Sequence, residues 1–279
     1  MSSRRKVLLK IGLVIAFVVA LSLLVSSRTA DDQGPVYQGR TALDWLHSMS
    51  AASKTFASSS NVVAVFRAMD TNALPFLASR ITRNLKPSIL ELVRSKVSIL
   101  ARLDRRGGPI HTRREEAETA TALLWQHLSP PAEMLVPLLA PALRQNSDWL
   151  QRQYALHALQ GLRSGYELAR PYVEQALRDP DPRIQAAGAD VVRAFGPAHG
   201  GWAAEALSPL ITTRRAETFT AVLLALHCLE TNSVPLLPKL KQRWATEQDQ
   251  GTRDFLAHSI RYISHFAGEE TKKASGHPE

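Results

Sequence analysis

The sequence predicts an all-α chain: an α-solenoid of stacked antiparallel helical hairpins, preceded by an N-terminal transmembrane or signal helix. Three observations predict it. The first is an apolar stripe that recurs along the chain. Leu128, Leu162, Phe195, Leu229 and Ile263 lie 34, 33, 34 and 34 residues apart. Three positions earlier stand Trp125, Leu159, Val192, Leu226 and Ile260; four earlier stand Leu124, Ala158, Val191, Ala225 and Ser259; seven earlier stand Thr121, Ala155, Gly188, Val222 and Leu256. Offsets of three, four and seven mark one face of a helix, and a helical face repeated at this period marks stacked helical pairs. The second observation is an apolar run behind a basic start. The third is a set of prolines and aspartates at matching points of successive units.

The leader comes first. Arg4-Arg5-Lys6 precede a run from Val7 to Val25 interrupted by Lys10, Gly12 and Ser22. A positive start followed by an apolar stretch is the layout of a signal anchor or a signal peptide, here over residues 1–27. As a helix, the uncharged part from Ile11 to Val25 spans about 22 Å, and Val7–Leu9 extend it towards the ~30 Å of a bilayer core if Lys10 reaches the interface. Ser26 and Ser27 also permit cleavage. The basic start, with Asp31 and Asp32 after the run, predicts a single-pass chain at the cytoplasmic membrane whose C-terminal mass lies outside the cytoplasm, secreted or periplasmic if the leader is cleaved.

Residues 28–40 read as a linker and 41–104 as N-terminal helical repeats. A short amphipathic helix is expected over Thr41–Ser50, around Leu43, Trp45 and Leu46, and a Ser/Ala-rich loop over Ala51–Ser60. Val62, Phe66 and Met69 form one apolar face, partly repeated by Ile99, Leu100 and Leu103. The phase then breaks at Arg105-Arg106-Gly107-Gly108-Pro109, an irregular joint over 105–111. Regular repeats follow over 112–266, with no first helix evident before Leu128, and a polar, flexible tail over 267–279. Each regular unit is expected to open its first helix near a proline, Pro137, Pro171, Pro209 or Pro235, because a first turn tolerates the missing N–H. The second helix is expected to follow an aspartate cap such as Asp148 or Asp181. The segment Asp70-Thr71-Asn72-Ala73-Leu74-Pro75-Phe76-Leu77 is echoed by Glu230-Thr231-Asn232-Ser233-Val234-Pro235-Leu236-Leu237.

Asp179-Pro180-Asp181-Pro182-Arg183-Ile184, continued by Ala186-Ala187, Val191-Val192 and Phe195-Gly196, resembles a HEAT repeat. Tyr37-Gln38-Gly39-Arg40 with Trp45-Leu46, then Phe66-Arg67-Ala68-Met69 and Thr71-Asn72-Ala73-Leu74-Pro75, is similar to exported or membrane-anchored bacterial HEAT-repeat proteins. The resemblance covers roughly residues 37–265 and is looser at 105–128. It implies an adaptor or scaffold, with no catalytic set to carry over.

Charge narrows the partners. Of 34 basic residues, Arg4, Arg5, Lys6, Lys10 and Arg28 lie in the first thirty positions, which hold no acid; the remainder carries 29 basic against 25 acidic residues, a net of +4. That balance, together with the leader, favours a protein partner and the membrane over nucleic acid. The alternative is a nucleic-acid-binding or base-processing protein of the same repeat type. A single cysteine, Cys228, excludes an internal disulfide and a cysteine-based zinc cluster. The nine histidines include no His-Glu-x-x-His motif. Gly107-Gly108 is followed by no Gly-Lys-Ser/Thr, and Ser164 lacks the Gly-x-Ser-x-Gly spacing. No catalytic, cofactor or metal site is predicted, and the chain is expected not to be an enzyme.

Two surface features remain. A polar column sits two positions before each core mark: Gln126, Gln160, Arg193, His227 and Arg261. One turn back lie His157, Asp190 and His258. Second helices of stacked pairs usually line the concave side, so this column is the candidate protein-binding face. The second feature is a candidate basic patch, Arg102, Arg105, Arg106, Arg113 and Arg114, suited to an acidic partner or lipid headgroups. Glu115 and Glu116 are expected to pair locally with Arg113 and Arg114.

Overall fold

The computed structural model describes residues 30–52, 56–85 and 112–274. The expected leader over 1–27 with its apolar run at 7–25, the expected face of Ile99, Leu100 and Leu103, and the expected joint at 105–111 lie outside the described residues. So do Arg102, Arg105 and Arg106 of the basic patch. No described helix is long and apolar enough to cross a membrane.

The described chain is all-α apart from one tight hairpin. A short helix α1 (Ala30–Gln33) leads into strands β1 (Val36–Tyr37) and β2 (Arg40–Thr41), antiparallel with Val36 opposite Thr41. Helices α2 (Ala42–Ala52), α3 (Phe56–Met69) and α4 (Leu74–Thr82) follow. After residue 112 come α5 (Arg113–Leu123), continued by a π-helical turn at Leu124–Leu128, then α6 (Ala132–Leu143), α7 (Trp149–Leu159), α8 (Tyr166–Leu177), α9 (Pro182–Phe195) and α10 (Gly200–Leu207). The last are α11 (Ala216–Cys228), α12 (Leu237–Thr246) and α13 (Gln250–Ala274). Helix α2 runs past Ser50 and α3 begins at Phe56, so the expected loop at 51–60 is helical at both ends. Ser and Ala are tolerated in helices when neighbours supply the packing, and α2 and α3 pack on each other. Helix α13 continues beyond Ala267 to Ala274.

The helices form two rows. In one, α4 packs on α6, α6 on α8, α8 on α10, and α10 on the 3₁₀ segment Glu230–Leu236 that precedes α12. In the other, α5 packs on α7, α7 on α9, α9 on α11 and α11 on α13. Across the rows α4 meets α5, α6 meets α7, α8 meets α9 and α12 meets α13, while α11 meets the 3₁₀ segment Ser208–Thr212. The helix paired with α5 is therefore α4, which stands in the position where the sequence shows no first helix before Leu128.

The repeated stripe is the core. Leu124, Ala158, Val191, Ala225 and Ser259 are all fully enclosed, as are Ala155, Val222 and Leu256 one turn earlier. In the neighbouring column Leu159, Val192 and Leu226 are buried and Ile260 is half-buried, while Trp125 stands 40% exposed. The cause is a close approach of backbones. A Cβ added to Gly161 would lie 2.2 Å from the Leu124 carbonyl oxygen and 2.7 Å from the Trp125 Cα. The end of α7 thus fills the space an inward indole would need, and the wider π turn carries the ring outward.

Aspartate caps form as expected. Asp148 accepts from the Leu150 N–H at 2.9 Å, and Asp181 from the Arg183 N–H at 3.0 Å with Pro182 in the first turn. The prolines depart from expectation. Pro137 and Pro141 lie inside α6, and Pro171 lies inside α8. All are exposed, on the side of the helix where an interrupted hydrogen bond can be replaced by water. Pro209 does open its short segment, whereas Pro235 lies within the 3₁₀ turn and Pro238 opens α12.

The internal echo is structural. Asp70 and Glu230 both take positive φ, +49° and +51°, each followed by 3₁₀ helix. Ala73 and Ser233 are both fully enclosed, and Phe76-Leu77 and Leu236-Leu237 are buried alike. Ser129 also takes positive φ, +45°, so the second helix ends sharply after the core mark at Leu128 as it does after Leu229.

Candidate binding face

The predicted column lies on the row formed by α5 with its π turn, α7, α9, α11 and α13. Gln160, Arg193 and His227 are half-buried, as are His157 and Asp190, while Gln126, Arg261 and His258 are exposed. The structure sorts them into two groups. In the first, Arg193 pairs with Asp190 at 3.2 Å, one turn apart on α9. His157, on α7, has its pKa lowered by burial, an effect that the nearby Asp190 charge partly offsets. The exposed Trp125 ring stands 6.3 Å from His157. Gln160 sits at the end of α7 behind this group.

The second group is aromatic. The His227 ring lies 4.8 Å from Tyr262, 5.9 Å from His258 and 6.2 Å from Phe255. Phe266 extends the group at 5.3 Å from Tyr262. Burial lowers the His227 pKa, and the neighbouring His258 lowers it further, so the ring is neutral near pH 7. Its Nε2 is enclosed and has no hydrogen-bond partner among the described residues. Tyr262 is 42% exposed. The sequence reading missed Trp125, Phe255, Tyr262 and Phe266 as parts of this face. A signal was present: His258, Tyr262 and Phe266 recur every four residues, offset from the enclosed stripe of Leu256, Ser259 and Ile263. No cluster of three or more His, Cys, Asp or Glu able to hold an ion occurs among the described residues.

Of the basic patch, the structure describes Arg113 and Arg114. Arg113 donates to the Asn84 carbonyl at 3.3 Å, and Arg114 lies beside the Tyr154 hydroxyl. Their expected partners do otherwise. Glu115 closes a capping box with Thr112: its carboxylate accepts from the Thr112 N–H at 2.8 Å, and its own N–H donates to the Thr112 hydroxyl at 3.2 Å. Glu116 turns inward, because the position one step along the helix faces the core.

That inward turn builds an ionic junction the sequence did not reveal. Glu116 is 3% exposed and Arg80 is 1% exposed. Glu116 Oε2 meets Arg83 and lies 3.5 Å from Arg80; its Oε1 is 3.0 Å from His47 Nε2. Arg80 reaches back to α1, with Nη1 donating to Asp32 Oδ1 at 2.7 Å and Nη2 to the Asp32 carbonyl. Burial alone would raise the Glu116 pKa. The His47 hydrogen bond and the charges of Arg83, His47 and Arg80 overcome that and hold it at about 2. The backbone around α1 fits closely: Gly34 takes φ +72°, and a Cβ there would lie 2.4 Å from the Phe76 ring. Arg80 lies over the same ring at 4.5 Å. The junction binds the segment before β1 to α2, α4 and α5.

Comparison with known proteins gives little to set beside this geometry. No family model matches the chain, and no curated protein matches it. Among solved structures it is similar to the crystal structure of an engineered protein from the Northeast Structural Genomics Consortium. The two are 16% identical over 80% of this chain and 97% of that chain, with a TM-score of 0.40.

Proposed function

We propose that this chain is a non-enzymatic scaffold: a solenoid of HEAT-like hairpins, held at the cytoplasmic membrane by residues 7–25 with its helical part outside the cytoplasm. It docks a protein partner on the face formed by α7, α9, α11 and α13. The two rows of helices, each packed on the next, support the solenoid. The capped turn from Asp179 to Ile184 supports the resemblance to a HEAT repeat. One observation carries the binding role: Trp125 and Tyr262 stand 40% and 42% exposed on a face that also holds the half-buried His157, Arg193 and His227. Exposed aromatics beside arginine, with polar groups already partly desolvated, are the composition of interface cores.

The test is a crosslinking capture from membranes with wild type, Arg193→Glu plus Arg261→Glu, and Tyr262→Ala, each checked by circular dichroism. The expected result is loss of a defined partner in both variants with helicity unchanged; the same partners for all three proteins would discard the face. Export is tested with a reporter active only outside the cytoplasm, fused after Glu279. It is expected to be active, and silent when residues 2–27 are removed; carbonate extraction then separates an anchor from a cleaved leader.

A further inference from the structure

A cleft of about 490 Å³ opens where the end of α3 meets the π turn after α5. Its walls carry Arg67, Asp70, His127, Pro131, Met134 and Arg163. It shares no residue with the face described above. Asp70 and Ser129, the non-glycine residues at positive φ that end the two helices, both line it, so two abrupt chain reversals hold its walls in place.

The charges in the cleft are poised for an anion. Arg67 uses its Nε on the His127 carbonyl at 3.1 Å, which orients the guanidinium and leaves its two terminal NH₂ groups for a ligand. Neither Arg67 nor Arg163 has an ion pair among the described residues. His127 contributes no charge near pH 7, since burial and then the adjacent Arg67 lower its pKa. Two arginines against Asp70 give a small positive excess. Met134, 40% exposed, and the prolines beside it supply an apolar wall.

We propose that this cleft binds a short acidic segment of a protein partner, its carboxylate held by Arg67 and Arg163 and its neighbouring aliphatic side chain laid against Pro131 and Met134. A guanidinium fork matches a carboxylate in two parallel hydrogen bonds. Both arginines are exposed and the cleft is open to solvent, whereas small-molecule pockets enclose most of their ligand. An extended chain crossing the cleft fits this openness. Asp70 in the wall disfavours the doubly charged phosphate of a lipid or nucleotide. The assignment stands on the cleft's own residues and survives failure of the second-helix face.

The experiment uses the full chain in detergent and fluorescence anisotropy with a labelled octapeptide of alternating leucine and glutamate, beside a control with glutamine for glutamate. The glutamate peptide is expected to bind saturably, more weakly as salt is raised, and about tenfold more tightly than the control. Arg163→Glu is expected to lower its affinity by about tenfold or more with helicity unchanged, and Arg67→Gln to do likewise. If Arg163→Glu does not fold, Arg163→Gln takes its place with the same expectation. Equal binding of the two peptides, absence of saturable binding up to millimolar peptide, or indifference to both arginine variants overturns the assignment. Displacement of the peptide by N-acetylglutamate at equal affinity overturns the peptide in favour of a small carboxylate.

Discussion

The two ends of this molecule are held together by different forces. From α6 to α13 the buried contacts are mostly aliphatic: Leu135, Leu139, Leu159, Val173, Val191, Val222, Leu226 and Leu256 interlock with scarcely any exposure. Enclosed charge here is confined to pairs at the ends of helices, such as Arg152 with Asp179 at the turn before α9. From α1 to α5 the centre of the packing includes Arg80, Glu116, Arg83 and His47, with Asp32 reached from outside. An apolar stripe tolerates any neighbour with a matching stripe, so it can be repeated. A charged junction specifies one partner for each group, because a buried charge without its partner is costly. The repeating part is thus the generic one. The unique part is where the segment before β1 is fastened to the first helices.

The largest effect is expected from Val192→Asp, which buries a carboxylate with no partner between α9 and its neighbours. It should cost about 5 kcal/mol in urea melts, enough to unfold the surrounding helices. Arg193→Ala, its neighbour, removes a half-exposed pair within one helix and should cost less than about 0.5 kcal/mol. Equal losses from the two variants would falsify the register of the stripe.

Next comes Arg80→Ala, expected to cost about 3–5 kcal/mol because Glu116 is left buried beside fewer positive groups. The comparison is sharpened by Arg80→Met with Glu116→Leu. Removing both charges should recover much of that loss, since an apolar pair of similar volume avoids the desolvation of two ions. A double variant as damaged as the single one would mean that packing around Phe76, rather than charge, holds the junction.

Acid should separate the two regions. The folded pKa of Glu116, about 2, lies below its ordinary value of 4.5. Its contribution to stability is therefore complete above pH 4.5 and is lost as pH falls from there towards 2. Amide exchange is expected to quicken in α2, α4 and α5 before α9 and α11 over that range, and Glu116→Gln should flatten the dependence. Uniform exchange across the molecule would count against the contrast. A smaller effect than that of Arg80→Ala joins the regions. Gly161→Ala pushes a methyl into the backbone at Leu124 and should cost about 1–3 kcal/mol by forcing α7 away from α5. Gly201→Ala, with nothing within 4 Å of the added Cβ, should be close to neutral in the same urea melts.

The repeat was legible because a helix shows its buried face locally. Val191, Ala225 and Ser259 are enclosed where the period puts them, and even the serine is accounted for, since its hydroxyl donates to the Phe255 carbonyl at 2.9 Å. The candidate face was half legible. Arg193 and His227 could be read from their phase, whereas the contribution of Trp125 could not, because the phase assigned it to the core. The expected local pairing of Glu116 failed for a related reason. Charge and spacing within one helix suggest neighbours at three and four residues, but they carry no information about an arginine 36 residues away on another helix.

By itself the sequence determined the helical class, the period, the caps at Asp148 and Asp181, and the positions that form the enclosed stripe. Each of these is set by interactions within one or two helical turns, or by a pattern that every unit repeats. Only the tertiary structure decided that α4 partners α5, that Trp125 turns outward beside Gly161, and that Glu116 meets Arg80, which in turn holds Asp32. It alone opened the cleft between Arg67 and Arg163. These depend on where distant backbones pass one another, and a pair of charges or a bare glycine acquires its meaning from that approach.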